Sequence, residues 1–301
     1  MLTASPELWP GPMEGVMSPE LIRAADALGL TERWMTPFLR LSTAVPGTRK
    51  LAEFAAPFLE SGLPVTVQLM GNRPEVIAAA AARFMELGAA GINLNFGCPS
   101  RQVTGGGAGG GALRHPDALL RMIERVKTFL PDLPLSVKLR TGWSSPEEAR
   151  HLLPALARAG ALDRVFLHFR TVAEGYAPTE GREARLAAAV AALGTIPCIV
   201  NGDIRSAEEA RALVAATGAA GVMAARGWLR DPWLLRRIAG ETELPDRETG
   251  RQRLFAEVLS GGFRCCRAIE LSQFLWGRDN PWFDRLRRLP PGAVVGPELF
   301  R

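Results

Sequence analysis

Short runs of β-branched and aliphatic residues alternate along the chain with longer Ala/Leu/Arg stretches whose apolar positions recur at helical spacing. The first run predicts a strand at 8–13, after which Ser18-Pro19 supplies a helix cap and a first-turn proline. A second apolar run at 34–41 precedes a helical stretch at 51–60. Strands at 64–70 and 91–96 are predicted on either side of a helix at 74–87 that opens on proline. Beyond a Gly-rich loop, a helix at 116–129, a strand at 133–139 and a helix at 146–159 follow. The last third repeats the pattern: strands at 164–169, 196–201 and 221–225, with helices at 182–193, 206–216 and 231–238. Ser206 is placed to cap its helix, with Glu208 and Glu209 in the first turn.

Eight strand–helix units in about 240 residues with short connections imply a parallel sheet with helices outside it. That number favours an α/β fold of the (β/α)8 TIM-barrel type over an open doubly wound sheet. No GxGxxG follows the first strand, which counts against a dinucleotide-binding fold. Composition shifts at 241–246, and the stretches 247–259, 263–276 and 281–289 are each compatible with a helix. Trp276, Trp282, Phe255, Phe263, Phe274 and Phe283 are enough to pack them. The expected organisation is a barrel over 1–240 and a small C-terminal α-helical appendage over 241–301.

Composition narrows the class further. With 47% hydrophobic and 22% charged residues in 301, the chain is neither a disordered polymer nor a disulfide-stapled miniprotein. The formal charge is +5, and only Lys50, Lys127 and Lys138 among the 36 basic side chains are lysine. Arginine is the better phosphate fork, so the bias leans weakly toward a polyanionic partner. The four cysteines form no CxxC, nothing at the N-terminus resembles a signal peptide, and no apolar run reaches membrane-spanning length. These features lead us to expect a reduced, cytoplasmic protein without a membrane partner.

In barrels of this kind chemistry gathers where each strand meets its following loop. The polar residues expected there are Glu14, Gln68, Asn93, Asn95, Cys98, Lys138, Arg140, His168, Arg170, Asn201, Asp203 and Arg226. Cys98 lies in Asn95-Phe96-Gly97-Cys98-Pro99-Ser100, just past a strand, where a thiol can deliver a proton or act as a nucleophile. Cys198, Cys265 and Cys266 read instead as inert small hydrophobes. Lys138, inside the run Leu-Ser-Val-Lys-Leu, is costly to bury without a partner. It meets either a neighbouring carboxylate or an anion or electron-rich ring. His168 closes a similar run. Asn201-Gly202-Asp203 and Ala225-Arg226-Gly227 end the seventh and eighth strands, where such barrels commonly hold a phosphate. The stretch 105–111 lacks the GK[ST] ending of a P-loop and reads either as a lid over the mouth or as a plain connection.

The ordered motifs resemble those of the tRNA-dihydrouridine synthases, an FMN-dependent family, over roughly residues 8–240. They are Gly-Pro-Met-Glu-Gly-Val at 11–16, Val-Gln-Leu-Met-Gly at 67–71 and Asn-Leu-Asn-Phe-Gly-Cys-Pro-Ser at 93–100. Ser-Val-Lys-Leu-Arg-Thr-Gly-Trp at 136–143, His-Phe-Arg-Thr at 168–171, Asn-Gly-Asp-Ile at 201–204 and Ala-Arg-Gly at 225–227 complete the set. The Gly-rich stretch and Gly175-Tyr176 look most like the C-type bacterial branch.

The resemblance implies that Pro12 and Met13 lie under the flavin ring and that Gln68 and Lys138 contact its polar edge. It places His168 near the cofactor, and Asn201, Gly202, Asp203, Ala225, Arg226 and Gly227 around the ribityl phosphate. Asn95 and Arg140 are implied to hold the target uracil, and Cys98 to supply the proton. The implied reaction is reduction of the C5–C6 bond of a uridine in the tRNA D-loop, with NADPH (or NADH) as reductant, no metal, and a monomeric enzyme. A target uridine has to leave its stack to be reached. The chain departs from the family at Pro37, where a glutamate is usual, at Ala225, where a glycine is usual, and in its appendage of about 60 residues. Rival readings are a flavin barrel that reduces a small molecule and a catalytically idle flavin- or RNA-binding module. The joint presence of Cys98, Lys138 and His168 argues against the idle module.

Overall fold

The computed structural model describes residues 5–290 and 292–300. The barrel strands are β1 (Glu7–Pro10), β2 (Trp34–Met35), β3 (Leu39–Arg40), β4 (Val65–Met70), β5 (Gly91–Phe96), β6 (Leu135–Arg140), β7 (Arg164–His168), β8 (Cys198–Asn201) and β9 (Gly221–Ala224). All pair in parallel, in the order β1-β9-β8-β7-β6-β5-β4-β2, with β3 also on β4. β1 lies beside β2, so the sheet nearly closes into the expected barrel. The run expected as one strand at 34–41 is two short pieces. Pro37 falls between them, and a proline has no N–H to continue the ladder.

The outer wall is made by α1 (Pro19–Ala27), α2 (Thr48–Leu59), α3 (Pro74–Glu86), α5 (Pro116–Phe129), α6 (Ala149–Ala159), α7 (Arg182–Leu193) and α8 (Ala207–Thr217), while a single turn, α4 (Arg101–Thr104), packs beside Cys98 past the end of β5. The short α9 (Arg226–Arg230) and α10 (Leu234–Ala239) end the barrel part. Local chemistry sets several starts. Ser18 and Ser206 accept from Leu21 N and Glu209 N, and prolines open α1, α3 and α5. No helix among the described residues is long and apolar enough to cross a membrane.

Period-two alternation divides each strand between two environments. Val137 and Leu139 of β6, Ile92 and Leu94 of β5, and Val165 and Leu167 of β7 join the large core between sheet and helices. The opposite face turns into the barrel. There Trp9, Met35, Phe166, Ile199 and Met223 form a separate apolar plug, with Trp9 edge-on to Phe166 at 5.0 Å. Below the plug Glu7 Oε2 accepts from Arg33 at 3.2 Å, Arg164 at 3.0 Å and Trp9 Nε1 at 3.2 Å. The plug fills the barrel interior below the C-terminal strand ends, which leaves those ends open to form a site.

Beyond residue 240 the chain forms α11 (Arg247–Leu259), α12 (Cys265–Trp276) and α13 (Pro281–Leu286). Phe263–Arg264, expected to open a helix, is a strand (β10) paired antiparallel with Val294–Val295 (β11). α11 packs on α1, and α12 packs on α9. Leu254, Phe255 and Leu259 are fully buried in the same continuous core as the barrel helices. A Cβ at Gly250 would stand 3.0 Å from Trp233, which is why α11 can approach so closely there.

Candidate active site at the barrel mouth

Strand register arranges the inward polar side chains in rows. Gln68, Asn93 and Ser136 are neighbours on β4, β5 and β6. Gln68 Nε2 donates to Asn93 Oδ1 at 2.8 Å, and Asn93 Nδ2 donates to Ser136 Oγ at 2.9 Å. The hydroxyl of Ser136 donates to the Ile92 carbonyl at 3.2 Å. Asn95, one step higher, donates from Nδ2 to Gln68 Oε1 at 2.8 Å. This connected chain satisfies buried amides that would each cost about 1–3 kcal/mol if left unpaired. Arg140, His168 and Asn201 form the row nearest the mouth.

Cys98 is half-buried just beyond β5. Its N–H and that of Gly97 both donate to Asn95 Oδ1 at 3.0 Å, and its carbonyl accepts from Gly110 N at 3.0 Å. Around it Met70, Val103 and Ala108 form a small apolar cluster that Phe38 joins. The 105–111 stretch divides into an exposed half, Gly105 to Gly107, and a packed half, Ala108 to Gly111. Gly109, Gly110 and Gly111 are buried, and a Cβ at Gly110 would stand 2.7 Å from Val172 and 2.8 Å from the Cys98 carbonyl oxygen. Close packing without side chains makes the segment a wedge behind the cysteine.

Lys138 is half-buried and meets no carboxylate and no hydrogen-bond acceptor among the described residues. Burial, aided by the charge of Arg140 and opposed by Cys98, pushes its ammonium down to about 8. His168 lies well below its ordinary value, through burial first and then the charges of Arg140, Lys138, Arg170 and Arg226. It is thus neutral at physiological pH. Its Nδ1 accepts from Arg170 N at 3.2 Å, which puts the ring proton on Nε2. By contrast Cys198 is buried in β8 with its thiol pushed up to about 12, and Cys265 is buried in α12, as expected for inert cysteines. Cys266 is exposed.

At the ends of β8 and β9 the backbone is unusual. Gly202 has φ 118, and a Cβ there would strike the Phe169 ring at 2.6 Å and His168 Nε2 at 3.1 Å. Asp203 (φ 52) is the sole non-glycine with positive φ among the described residues. A Cβ at Gly227 would lie 1.8 Å from the Ile204 carbonyl oxygen, so only glycine fits. Ala225 turns its methyl toward Gly11 of the loop after β1, where an added Cβ would meet it at 2.7 Å. Asn201 Nδ2 donates to the Met223 carbonyl at 2.8 Å and so ties β8 to β9. Pro12 and Met13 are half-buried in the turn after β1.

The Asp203 carboxylate accepts from Arg170 Nη2 at 2.5 Å and Arg226 Nη2 at 3.2 Å. Burial opposes its ionisation, but the Arg170 hydrogen bond and the charges of Arg170, Arg226 and Arg205 outweigh that and hold it below its ordinary value. Arg170 Nη1 is buried without a partner. The backbone N–H groups of Asp203, Arg226 and Gly227 find no protein acceptor among the described residues. With Lys138 Nζ and His168 Nε2, they make a mouth rich in unused donors. That donor set fits FMN, a ring with several acceptors joined to a phosphate. No group of three or more His, Cys, Asp or Glu among the described residues is placed to hold a metal ion.

Arg140 is more enclosed than its expected substrate role suggested. It is 3% exposed, and it donates from Nε to the Gly97 carbonyl at 2.9 Å. Its Nη1 reaches the carbonyls of Thr171 at 2.9 Å and Gly175 at 2.8 Å, and its guanidinium lies 5.3 Å from the Tyr176 ring centroid. It therefore ties the Cys98 turn to the loop after β7. Two mouth residues had no assigned role from the sequence. Arg170 was visible only as a strand-end charge, and Tyr176 is 63% exposed over Arg140 and Arg226. The alternation of His168 with Arg170 was the available signal for the first.

The family model described as Dihydrouridine synthase (Dus) matches residues 10–264. A "Probable tRNA-dihydrouridine synthase" from Rhodobacter capsulatus is 36% identical over 240 residues, which is 79% of this chain and 72% of the relative. The tRNA-dihydrouridine(16) synthase of Pseudomonas putida is 31% identical over 295 residues, covering 94% of this chain and 89% of the relative. Among solved structures, the crystal structure of TcOYE with pHBA superposes with a TM-score of 0.53 at 10% identity, over 78% of this chain and 87% of that one. The structural likeness speaks for the barrel alone. The sequence matches run through the strands that build the mouth and on into the tail, and on them the chain belongs to the dihydrouridine synthase family.

Proposed function

We propose that this chain reduces a uridine of tRNA to 5,6-dihydrouridine, with FMN held at the barrel mouth and NADPH or NADH as the reductant. The curated relatives support uridine 16 as the target. The observation that carries the reading is Cys98, fixed from both sides of its backbone at the rim of a donor-rich mouth, in a chain of this family. When bound, FMN supplies the hydride for uracil C6.

The chain's own residues do the rest. Gln68 and Lys138 would hold the polar edge of the ring, and Pro12 and Met13 would pack against its face. Lys138 offers a positive charge that favours an anionic reduced ring. His168, as a neutral Nε2–H donor, contributes a hydrogen bond without a charge. Asn201, Gly202, Arg226 and Gly227 are suited to the phosphate end, Gly202 and Gly227 because their missing side chains let backbone approach. Asn95 has a second Nδ2 proton free for a uracil oxygen, and Arg140 braces the loops on either side of the base. Cys98 delivers its proton to C5, and solvent restores the thiol. The base has to be unstacked to reach this depth.

Mass mapping of dihydrouridine in host tRNA with and without the gene tests the activity and its position. The expected result is loss of dihydrouridine at position 16 alone; unchanged tRNA overturns the reading. Cys98→Ala should keep flavin and NADPH oxidation yet lose uridine reduction.

A further inference from the structure

Three charges meet where β8 and β9 end, and they are unequally committed. Arg170 has a side chain only 4% exposed. Its Nε donates to the Ala177 carbonyl at 2.6 Å, its Nη2 to Asp203 Oδ2 at 2.5 Å, and its guanidinium lies 4.4 Å from the Phe169 ring centroid. Arg226, the other partner of Asp203, is 54% exposed in its side chain. Its one hydrogen bond is the 3.2 Å contact to Oδ1, and the Tyr176 ring stands 5.5 Å away. Arg170 is held at Nε and Nη2 with only its Nη1 unpartnered, while Arg226, held by a single contact and more than half exposed, can reach a ligand.

A carboxylate is out of place at the phosphate end of a cofactor site, because it repels a phosphate dianion and competes for the same guanidinium. Asp203 is nevertheless turned inward by a left-handed backbone that non-glycine residues rarely adopt. The charge count explains how the two are reconciled. Arg170 and Arg226 together carry two positive charges and Asp203 one negative, which leaves one positive charge for a ligand. Among the groups hydrogen-bonded to one another the count without Arg170 is zero; Arg205 bears on Asp203 through its charge alone and donates no hydrogen bond to it.

We propose that Arg170 is a positioning residue for the phosphate end of the site: it neutralises Asp203, so that Arg226 is aimed by the carboxylate without being cancelled by it. Asp203 is then a guide for Arg226 and not a phosphate ligand. Arg170 also fixes the Ala177 carbonyl, so the same side chain joins the phosphate end to the loop that carries Tyr176. The inference rests on the reading that the mouth holds FMN.

The test compares FMN with riboflavin, which lacks the phosphate, by fluorescence titration of the full-length chain freed of flavin. Wild type should prefer FMN; a wild type that binds neither flavin counts against the FMN reading itself. Arg170→Gln should lower the preference for FMN by at least about tenfold, the scale of one charge-assisted hydrogen bond, and leave riboflavin affinity within about twofold. Arg170→Lys keeps the charge and should keep most of the preference. Arg170→Gln combined with Asp203→Asn restores the charge count, and the amide oxygen of the substituted side chain can still accept from Arg226, so the preference should return. An unchanged ratio in Arg170→Gln overturns the inference, as does equal weakening of both flavins, which marks a merely structural role. If Arg170→Gln does not fold, the double variant decides: a folded double variant with no preference for FMN overturns the inference.

Discussion

The side-chain oxygen of Asn95 accepts the backbone N–H of Cys98 at 3.0 Å, together with that of Gly97. Since Asn95 is itself held by Gln68, the position of the thiol is set by the polar chain inside the barrel. Asn95→Ala should therefore lower uridine reduction by about tenfold or more, each lost hydrogen bond being worth about 1 kcal/mol. Flavin content should be nearly unchanged. Single-turnover measurement of hydride loss from the reduced enzyme, with and without tRNA, checks this.

Lys138 gives a pH signature. Its ammonium titrates at about 8 in the folded chain, whereas an unfolded lysine titrates near its ordinary value of about 10.4. Between these values the unfolded chain binds more protons, so stability of the flavin-free protein rises with pH across that window. Below pH 8 both states are protonated and the full penalty of burying the charge is present. Relative to Lys138→Met, wild type should gain at most about 3 kcal/mol from pH 8 to 10. Urea midpoints of the two proteins at both pH values measure it, and parallel curves would remove the Lys138 ammonium from the account.

Gly110→Ala probes the wedge. An added methyl meets the Cys98 carbonyl at 2.8 Å and Val172 at 2.7 Å, so the Cys98 turn has to shift. A loss of about 1–3 kcal/mol is expected by thermal denaturation, with a fall in turnover that is steeper than any change in flavin affinity. Gly107→Ala is the control for open space, since a Cβ there meets nothing within 4 Å, although its φ of 74 adds backbone strain.

The tail offers a test of the proposed tRNA partner. Arg253, Arg264 and Arg278 are exposed and form no ion pair among the described residues. If they meet phosphates, each change to alanine should weaken tRNA binding and reduce the slope of log K against log salt by about one. Deleting the tail is a poorer experiment, because Leu254, Phe255 and Leu259 belong to the core shared with the barrel. Filter binding at several salt concentrations decides, and an unchanged slope in all three variants would place the RNA elsewhere.

Much of the site was legible because strand ends in a parallel barrel converge. With Lys138 inside one apolar run, His168 closing another and Asn201 ending the seventh strand, their approach to one mouth follows from the fold class. Other features depend on contacts between residues far apart in sequence. Nothing local shows that Gly110 packs on Cys98 and Val172, or that Asp203 is shared by Arg170 and Arg226. The β10–β11 ribbon likewise joins Phe263 to Val295 across two helices, and no local pattern announces a two-residue pairing.

The sequence by itself determined the alternation of strands and helices, the places of Cys98 just past β5 and of Lys138 near the end of β6, and the resemblance that the family match bears out. Periodicity and turn residues are local signals, and both survive in a single chain. Only the tertiary structure decided that the second half of the Gly-rich stretch is packed behind Cys98, that Arg140 braces loops from a buried position, and that Arg170 and Asp203 form an ion pair. Those outcomes turn on close approach and on charge balance among distant residues, which exist only once the barrel has brought its strand ends together.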